Sequence, residues 1–416
     1  MRRPMKKSKR VSVKNQKIPA PDYPLQGSSL DIPLSDVLLY SPKQRRSYIT
    51  KLLNAFGREI KADRMALKRR TPFKKEMKDL RKLLHSPADK YLFTDDSTLK
   101  PNVLGKGSPG STHTYWSRTN MWKMKTKAGD LSEMILTKAP SLISKLDKLF
   151  DPKNTSKKNF RKKQSTAIQT AISFLQMDKG SGSAFPPFHA KFFADRYLPK
   201  DTDGIVVDPC AGWGGRLLGT LSVHRKNRVT YIGVDPEKKN KAAYDGLERR
   251  INTWLKRELS GEREAMLFYR PFEDWIGSAT AKKLFGKVDL VITSPPYFSA
   301  ENYNPSNKKQ SANRYKQYEA WQEKFYRQLV KGAYALLQPG GVFVLNIADV
   351  VGATRLERDA RTLAKLAGFE NAGFYKLALS ISPAARKAKN SRHTTIVNGA
   401  VFKHEPCFCF RKPARN

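Results

Sequence analysis

A hydrophobic strand runs straight into Ser294, Pro295, Pro296, Tyr297 and Phe298 within "KVDLVITSPPYFSA". Strands usually end in Gly, Asn or Asp turns that let the chain bend; two prolines instead fix φ and remove two backbone donors. Such a rigid edge marks a site. Two further stretches have the same strand-to-turn form. In "VVDPCAGWGGR", Asp208 closes a strand, and Gly212, Gly214 and Gly215 let backbone approach a ligand more closely than side chains would allow. Glycine turns between strand and helix also arise from packing alone, and this one lacks the Lys-Ser/Thr ending of a phosphate loop. In "YIGVDP", Asp235 ends the next strand 27 residues after Asp208, where an acid accepts hydrogen bonds from ribose hydroxyls or caps the following helix. An acid there also suits a dinucleotide enzyme, although "AGWGGR" fits the Gly-x-Gly-x-x-Gly turn poorly.

The elements that must position these residues alternate. After residue 184, "GIVVD", "VTYIGVD", "AMLFY", "VDLVIT" and "GVFVLNIAD" read as strands. They are separated by helical patterns, among them one with Leu247, Ile251, Trp254 and Leu255 on one face and the long "YEAWQEKFYRQLVKGAYALL". Strand-helix alternation implies a parallel sheet, with the ligand at the carboxyl ends of its strands. "GFYKLALSIS" and "AVFKHEPCFCF" are expected to pair as an antiparallel edge.

The chain before residue 184 is different. Ile49, Leu52, Leu53, Phe56 and Ile60 recur at helical spacing. "PFKKEMKDLRKLLH", "DLSEMILTKAPSLISKLDKLF" and "STAIQTAISFLQM" continue the helical pattern up to a Gly/Ser boundary at "DKGSGSAFPP". Between them, Tyr115, Trp116 and Trp122 are interleaved with Arg118, Lys123 and Lys125, a mixture that either stacks on bases and pairs with phosphates or fills a small satellite core. The opening "MRRPMKKSKRVSVKNQK" carries no acid before Asp22 and no apolar periodicity, so it reads as a disordered arm. Three units are therefore expected: a basic arm at 1–40, a basic helical domain at 41–183 and an α/β domain at 184–416.

Lys and Arg number 79 against 37 Asp and Glu, a net charge of +42 over 416 residues. That excess points to a polyanionic partner, nucleic acid before an anionic membrane surface. No apolar run approaches the ~20 residues needed to span a bilayer, and the N-terminus has no hydrophobic signal core. Cys210, Cys407 and Cys409 form neither a disulfide framework nor a zinc pattern, and the six histidines offer no paired metal ligands. A reducing intracellular compartment is expected, the basic arm serving as a nuclear or mitochondrial address or as a DNA-binding tail.

Taken together and in this order, "VVDPCAGWGG", "YIGVDP", "RPFEDW", "TSPPYF", "LLQPGGVFVLNIAD" and "HEPCFCFRK" closely resemble the S-adenosylmethionine-dependent amino-methyltransferases of DNA. The resemblance covers roughly residues 184–411. It implies a Rossmann-like methyltransferase sheet, mostly parallel with an antiparallel edge. The family methylates the exocyclic amine of a base and carries an (Asp/Asn/Ser)-Pro-Pro-(Tyr/Phe) signature, whose Thr-Ser-Pro-Pro-Tyr form is most often found in cytosine-N4 enzymes, and "HEPCFCFRK" resembles the closing strand of its phage-type members. It further implies a catalytic set of Ser294, Pro295, Pro296 and Tyr297. The cofactor would be S-adenosylmethionine, held by Asp208, Pro209, Ala211, Gly212 and Gly214 at its methionine end and by Asp235 at its ribose. Phe272 with Glu273 or Asp274 would hold its adenine, and Lys191, in "FPPFHAKFF", would pair with the methionine carboxylate. Cys210 replaces the usual aromatic after Asp-Pro, and Trp213 stands between the glycines.

The chemistry suits those residues. An exocyclic amine is a poor nucleophile because its lone pair is delocalised into the ring; acceptors on its two hydrogens favour a pyramidal nitrogen. The Ser294 hydroxyl and the Pro295 carbonyl are the expected acceptors. The base must leave the duplex, with Tyr297 stacking on it and Phe298 supporting that platform. No insertion is large enough for a separate recognition domain, so the polar loop after the motif (Asn302, Lys308, Lys309, Arg314, Tyr315), the basic loop with Arg386, Lys387, Lys389 and Arg392, and the basic N-terminal helical domain are the candidates to meet the substrate, with double-stranded DNA favoured and RNA left open. The alternatives are adenine-N6 methylation of DNA or RNA, an NAD-linked enzyme, and a non-catalytic nucleic-acid-binding protein on the same fold.

Overall fold

The computed structural model describes residues 25, 28–62, 73–87, 92–93, 103–104, 109–110, 125–126, 129–154, 166–178, 185–255, 258–298, 302–304, 306–350, 352–379, 393–397 and 400–414. Residues 1–24 and 26–27 of the expected arm, the aromatic and basic residues at 115–123, and the loop bearing Arg386 and Arg392 lie outside them; the end of that arm is instead folded, with Leu34–Leu38 helical and Leu34 and Val37 buried in the helical core.

Helices α1 (Pro42–Lys61), α2 (Phe73–His85), α3 (Pro140–Phe150) and α4 (Ala167–Asp178) precede the α/β part. Helix α1 begins where the sequence instructs it to. Ser41 accepts from the Gln44 amide while the Gln44 side chain accepts from the Ser41 amide, a reciprocal cap with Pro42 at the first position. Its apolar face (Ile49, Leu52, Leu53, Phe56) packs with Leu142, Leu146, Leu149 and Phe150 of α3 and Ile168, Ile172 and Leu175 of α4 in a core of its own. The buried Arg45 ties α1 to Asp147 of α3 at 3.0 Å.

The α/β part follows as α5 (Pro187–Tyr197), β1 (Gly204–Asp208), α6 (Gly215–Leu221), β2 (Val229–Val234), α7 (Lys241–Arg250), β3 (Arg263–Phe268), β4 (Val288–Thr293), α8 (Arg327–Leu336), β5 (Leu337–Asn346), α9 (Leu356–Leu366), β6 (Glu370–Leu379) and β7 (Ala400–Arg411). The strands lie in the order β6-β7-β5-β4-β1-β2-β3. Neighbours from β5 to β3 are parallel, and β7 runs antiparallel between β5 and β6. This is the expected Rossmann-like methyltransferase sheet, and its two closing strands do pair antiparallel, but the antiparallel strand β7 lies inside the sheet rather than at its edge. The alternation of the strands sorts side chains onto two apolar layers. Val206, Tyr231, Leu290, Ile292 and Val344 face α5 and α6, whereas Val207, Ile232, Val291, Phe343 and Leu345 face α8 and α9.

The boundary at 183/184 drawn from composition is crossed by the chain. Leu80, Leu83 and Leu84 of α2 pack in the layer under α5 and α6, and the short strands Leu92–Phe93 and Val103–Leu104 extend the sheet beyond β6. A short strand, Thr394–Val397, pairs with the start of β7. Helix α5 lies unusually close to α6 because Gly215 and Gly219 present no side chain there. A Cβ on either would come within 2.1 Å of the carbonyl oxygens of Phe185 and Pro187 respectively. That contact seats the start of α5 beside the turn that follows β1. Among the described residues, no helix is long and apolar enough to cross a membrane.

Candidate active site

The sheet order reverses between β1 and β4, so the turns leaving those strands diverge and open a crevice at their carboxyl ends. The glycine turn leaves β1 and the Ser-Pro-Pro-Tyr segment leaves β4 into the same crevice. A cleft opens there to solvent. Its wall includes Pro209, Gly212, Asp235, Phe272, Glu273, Ser294 and Pro296. The sequence thus found seven residues that four different strand ends bring together.

Gly212 stands at φ +60°, and its carbonyl accepts from Asn240 Nδ2 at 3.0 Å and from the Tyr244 hydroxyl. Its amide donates to Asp235 Oδ2 at 2.8 Å, while the Glu237 amide donates to Oδ1 at 2.9 Å. Burial pushes the Asp235 carboxyl up to about 7, against the pull of these two amides. Glu237 also lines the cleft, as do Asn240, Cys210, Trp213, Tyr303, Gln310 and Ser311. None of these was picked out as a ligand contact from sequence, although the Asp-x-Glu spacing at a strand end was a visible signal for Glu237. The Asn240 Oδ1 is buried with no partner among the described residues. Gly214, at φ +79° before α6, is a packing glycine instead: a Cβ would meet Leu247 at 2.6 Å.

Several expected site residues do something else. Asp208 does not line the cleft; it is fully buried and accepts from Arg216 Nε at 2.7 Å, the Tyr231 hydroxyl at 2.7 Å, Thr293 Oγ1 at 3.2 Å and the Cys210 amide at 3.2 Å. It ties β1, β2, β4 and α6 together beneath the turn. Burial alone would push the Arg216 guanidinium down, but Asp208 outweighs it and holds the charge firmly on. Ala211 likewise sits beneath the turn, its amide bonded to the Val234 carbonyl. Lys191 is buried in α5, where its ammonium donates to the carbonyls of Leu84 at 3.0 Å and Ser86 at 2.9 Å. It closes the end of α2 rather than meeting a carboxylate.

Behind Ser294 the motif turns inward. The Phe298 amide bonds back to the Pro296 carbonyl at 2.9 Å, a three-residue turn centred on Tyr297, and Phe298 follows it at φ +53°. A bulky residue there is strained by about 1–3 kcal/mol. Edge contacts to Tyr318 and Trp321, at 5.4 and 5.8 Å, hold it in the core, so Phe298 is a packing residue. Tyr297 is also buried rather than presented as an open platform, with its hydroxyl 3.4 Å from Asn346 Oδ1 at the end of β5. Asn346 Nδ2 in turn donates to the Pro406 carbonyl of β7 at 2.9 Å.

Two residues expected on the nucleic acid are instead bound to acids expected on the cofactor. Arg314 Nη1 lies 3.0 Å from Glu273 Oε1 and 3.0 Å from each Asp274 oxygen, and the Tyr315 hydroxyl donates to Glu273 at 3.1 Å. Asp274 lies outside the cleft wall. Asn302 donates to Asn313 Oδ1 at 2.8 Å. Burial is the main influence on the Glu273 carboxyl and leaves it above its ordinary value, with Arg314 drawing it part of the way back.

Residues 288–416, which hold β4, the Ser-Pro-Pro-Tyr segment and everything after it, match the family model described as DNA methylase of the N6/N4 type. No curated protein matches the chain. Among solved structures, the 1,6-didemethyltoxoflavin-N1-methyltransferase of Burkholderia thailandensis is 16% identical, covering 54% of this chain and 76% of its own, at a TM-score of 0.32. An S-adenosylmethionine-dependent methyltransferase of Methanosarcina mazei is 13% identical, covering 56% and 100%, also at 0.32. The spermidine synthase of Thermotoga maritima is 13% identical, covering 55% and 57%, at 0.30.

Proposed function

From a chain whose residues 288–416 match the N6/N4 DNA methylase family, we propose that this protein methylates an exocyclic base amine of DNA from S-adenosylmethionine, and that the amine is N4 of cytosine. The observation that carries the reading is one cleft that joins Ser294 and Pro296 to Gly212, Asp235, Phe272 and Glu273. The residues suit the cofactor. Acids at the ends of β2 and β3 match ribose hydroxyls and an adenine amine, Phe272 offers an aromatic face, and the orphaned Asn240 Oδ1 awaits a donor. When bound there, S-adenosylmethionine supplies an electrophilic methyl on sulfur.

The chain's own part is to prepare the amine. Ser294 Oγ and the Pro295 carbonyl accept its two hydrogens, which localises the lone pair on nitrogen and aims it into the cleft. The double proline keeps that carbonyl from turning away. No strong base is required beforehand, since the methylated nitrogen becomes acidic and releases a proton to solvent. Tyr297, anchored to Asn346, backs the Pro-Pro turn and stacks on the extruded base after rotating out of the core. The net charge of +42 supports a polyanionic substrate. Serine at the head of the motif supports cytosine over adenine by the resemblance noted above.

The test is incubation with methyl-labelled S-adenosylmethionine and double-stranded DNA, single-stranded DNA or RNA, followed by nucleoside mass spectrometry. N4-methylcytosine from duplex DNA is expected, with Ser294→Ala lowering turnover about 10²–10³-fold and Tyr297→Ala also impaired. N6-methyladenine would overturn the base assignment, label in RNA the substrate, and no label with no cofactor binding the enzyme itself.

A further inference from the structure

The polar segment 302–315 directly after the catalytic motif has the composition of a phosphate-binding loop, yet its described contacts run to the cofactor side of the cleft. Asn304 Nδ2 donates to Glu237 Oε2 at 2.7 Å with both residues buried. Asn307 Nδ2 donates to the Pro236 carbonyl at 3.1 Å. The ring of Tyr303 meets Trp213 of the glycine turn edge-on at 5.3 Å. Arg314 and Tyr315 close the far end on Glu273. Between these anchors the segment is braced on itself: Asn313 Nδ2 donates to the carbonyls of Asn304 and Asn307, and the Gln310 side chain accepts from the Asn304 amide. A loop free to track a DNA backbone would keep its amides and its arginine in solvent; this one places the Asn304 amide on Glu237 and Arg314 on Glu273, two buried carboxylates along one wall of the cleft.

We propose that segment 302–315 is a strap belonging to the cofactor site, in which Asn304 sets the carboxylate of Glu237 for the cofactor's ribose and Arg314 with Tyr315 sets that of Glu273 for its adenine. This rests on the methyltransferase reading. A carboxylate beside a ribose can rotate away from its hydroxyls; a side-chain amide held on its outer oxygen fixes the plane. Arg314 does the same for Glu273 through a single charged contact from Nη1 to Oε1, and by balancing that acid it lowers the energy of keeping a carboxylate in a largely dry wall. Asn304, Arg314 and Tyr315 are thus positioning residues. The strap also divides labour along the chain, the Ser-Pro-Pro turn handling the amine and the residues just after it handling the opposite face of the cleft.

The test compares two ligands in calorimetry with the full chain: S-adenosylhomocysteine and its 2′,3′-dideoxyribose analogue. Asn304→Ala should weaken S-adenosylhomocysteine about tenfold and leave the dideoxy analogue nearly unchanged. The ratio between ligands in one variant is insensitive to partial unfolding. Equal loss for both, or loss for neither, overturns the assignment of Asn304. Arg314→Gln should weaken both ligands while leaving the salt dependence of binding to a 20-base-pair duplex as in the wild type. A fall of about 0.9 in that logarithmic slope would place Arg314 on a phosphate and overturn the strap. If the wild type binds neither ligand, the methyltransferase reading itself fails, a result distinct from any of these.

Discussion

Asp208 separates structural support from ligand contact more sharply than any other residue at the site. Asp208→Asn preserves shape but removes the negative charge opposite a guanidinium 2.7 Å away; Asp208 is fully buried, and Arg216 is buried with one edge on the cleft wall. Breaking a buried pair by neutralising one partner costs about 3–5 kcal/mol, because the remaining charge stays buried without compensation. An asparagine whose oxygen still accepts from Tyr231 and Arg216 turns its amino group onto the Thr293 hydroxyl and the Cys210 amide, the latter a second donor, so little is recovered. For a folding unit of this size about 3–5 kcal/mol lowers Tm by roughly 6–20 °C. Arg216→Met alone should cost a similar amount. The double variant Asp208→Asn, Arg216→Met should lie well above the sum of the two, with a coupling of about 2 kcal/mol or more. The assay is thermal and urea unfolding of the four proteins, with S-adenosylhomocysteine affinity measured on each below its transition. In the folded fraction, Asp208→Asn should keep its affinity within about threefold of wild type, a change of under 1 kcal/mol. An unchanged Tm together with a large loss of affinity would refute the reasoning and return Asp208 to the cofactor.

The pH dependence has a definite sign. Burial raises the Asp235 carboxyl from 3.8 to about 7 in the folded chain, so the folded state holds a proton that the unfolded state has released. Its contribution to stability therefore declines as pH rises from about 4 to about 7. Affinity for S-adenosylhomocysteine should run the other way, rising up to about pH 7 as the carboxylate becomes a better acceptor, and Asp235→Asn should flatten that rise in calorimetry between pH 5.5 and 8.5. Two glycines in neighbouring helices should respond in opposite directions. Gly219→Ala drives a methyl to 2.1 Å from the Pro187 carbonyl and should prevent α5 and α6 from docking, read as loss of soluble protein or of the unfolding transition. Gly246→Ala in α7 meets nothing within 4 Å and should stabilise by about 0.5–1 kcal/mol in urea unfolding.

Much of the fold was legible because it depends on local pattern. The alternation of "GIVVD", "VTYIGVD", "VDLVIT" and "GVFVLNIAD" with helical periods fixes a parallel sheet wherever both faces are to be covered, and the apolar stripe of α1 points to a buried face without reference to any neighbour. The turns at strand ends were readable for the same reason: glycine at positive φ and consecutive prolines are local constraints, so Gly212, Asp235, Ser294 and Pro296 could be placed in one crevice from sheet topology alone. Tertiary structure decided which charged and aromatic side chains meet. Lys191 looks like any amphipathic-helix lysine until α2 delivers the Leu84 and Ser86 carbonyls to it. Arg314 looks like a phosphate ligand until Glu273, 41 residues earlier, arrives 3.0 Å away. Helical and strand periods encode which face is buried; they carry no information about the partner a charge finds across a long separation in sequence, because that depends on the packing of whole elements against one another.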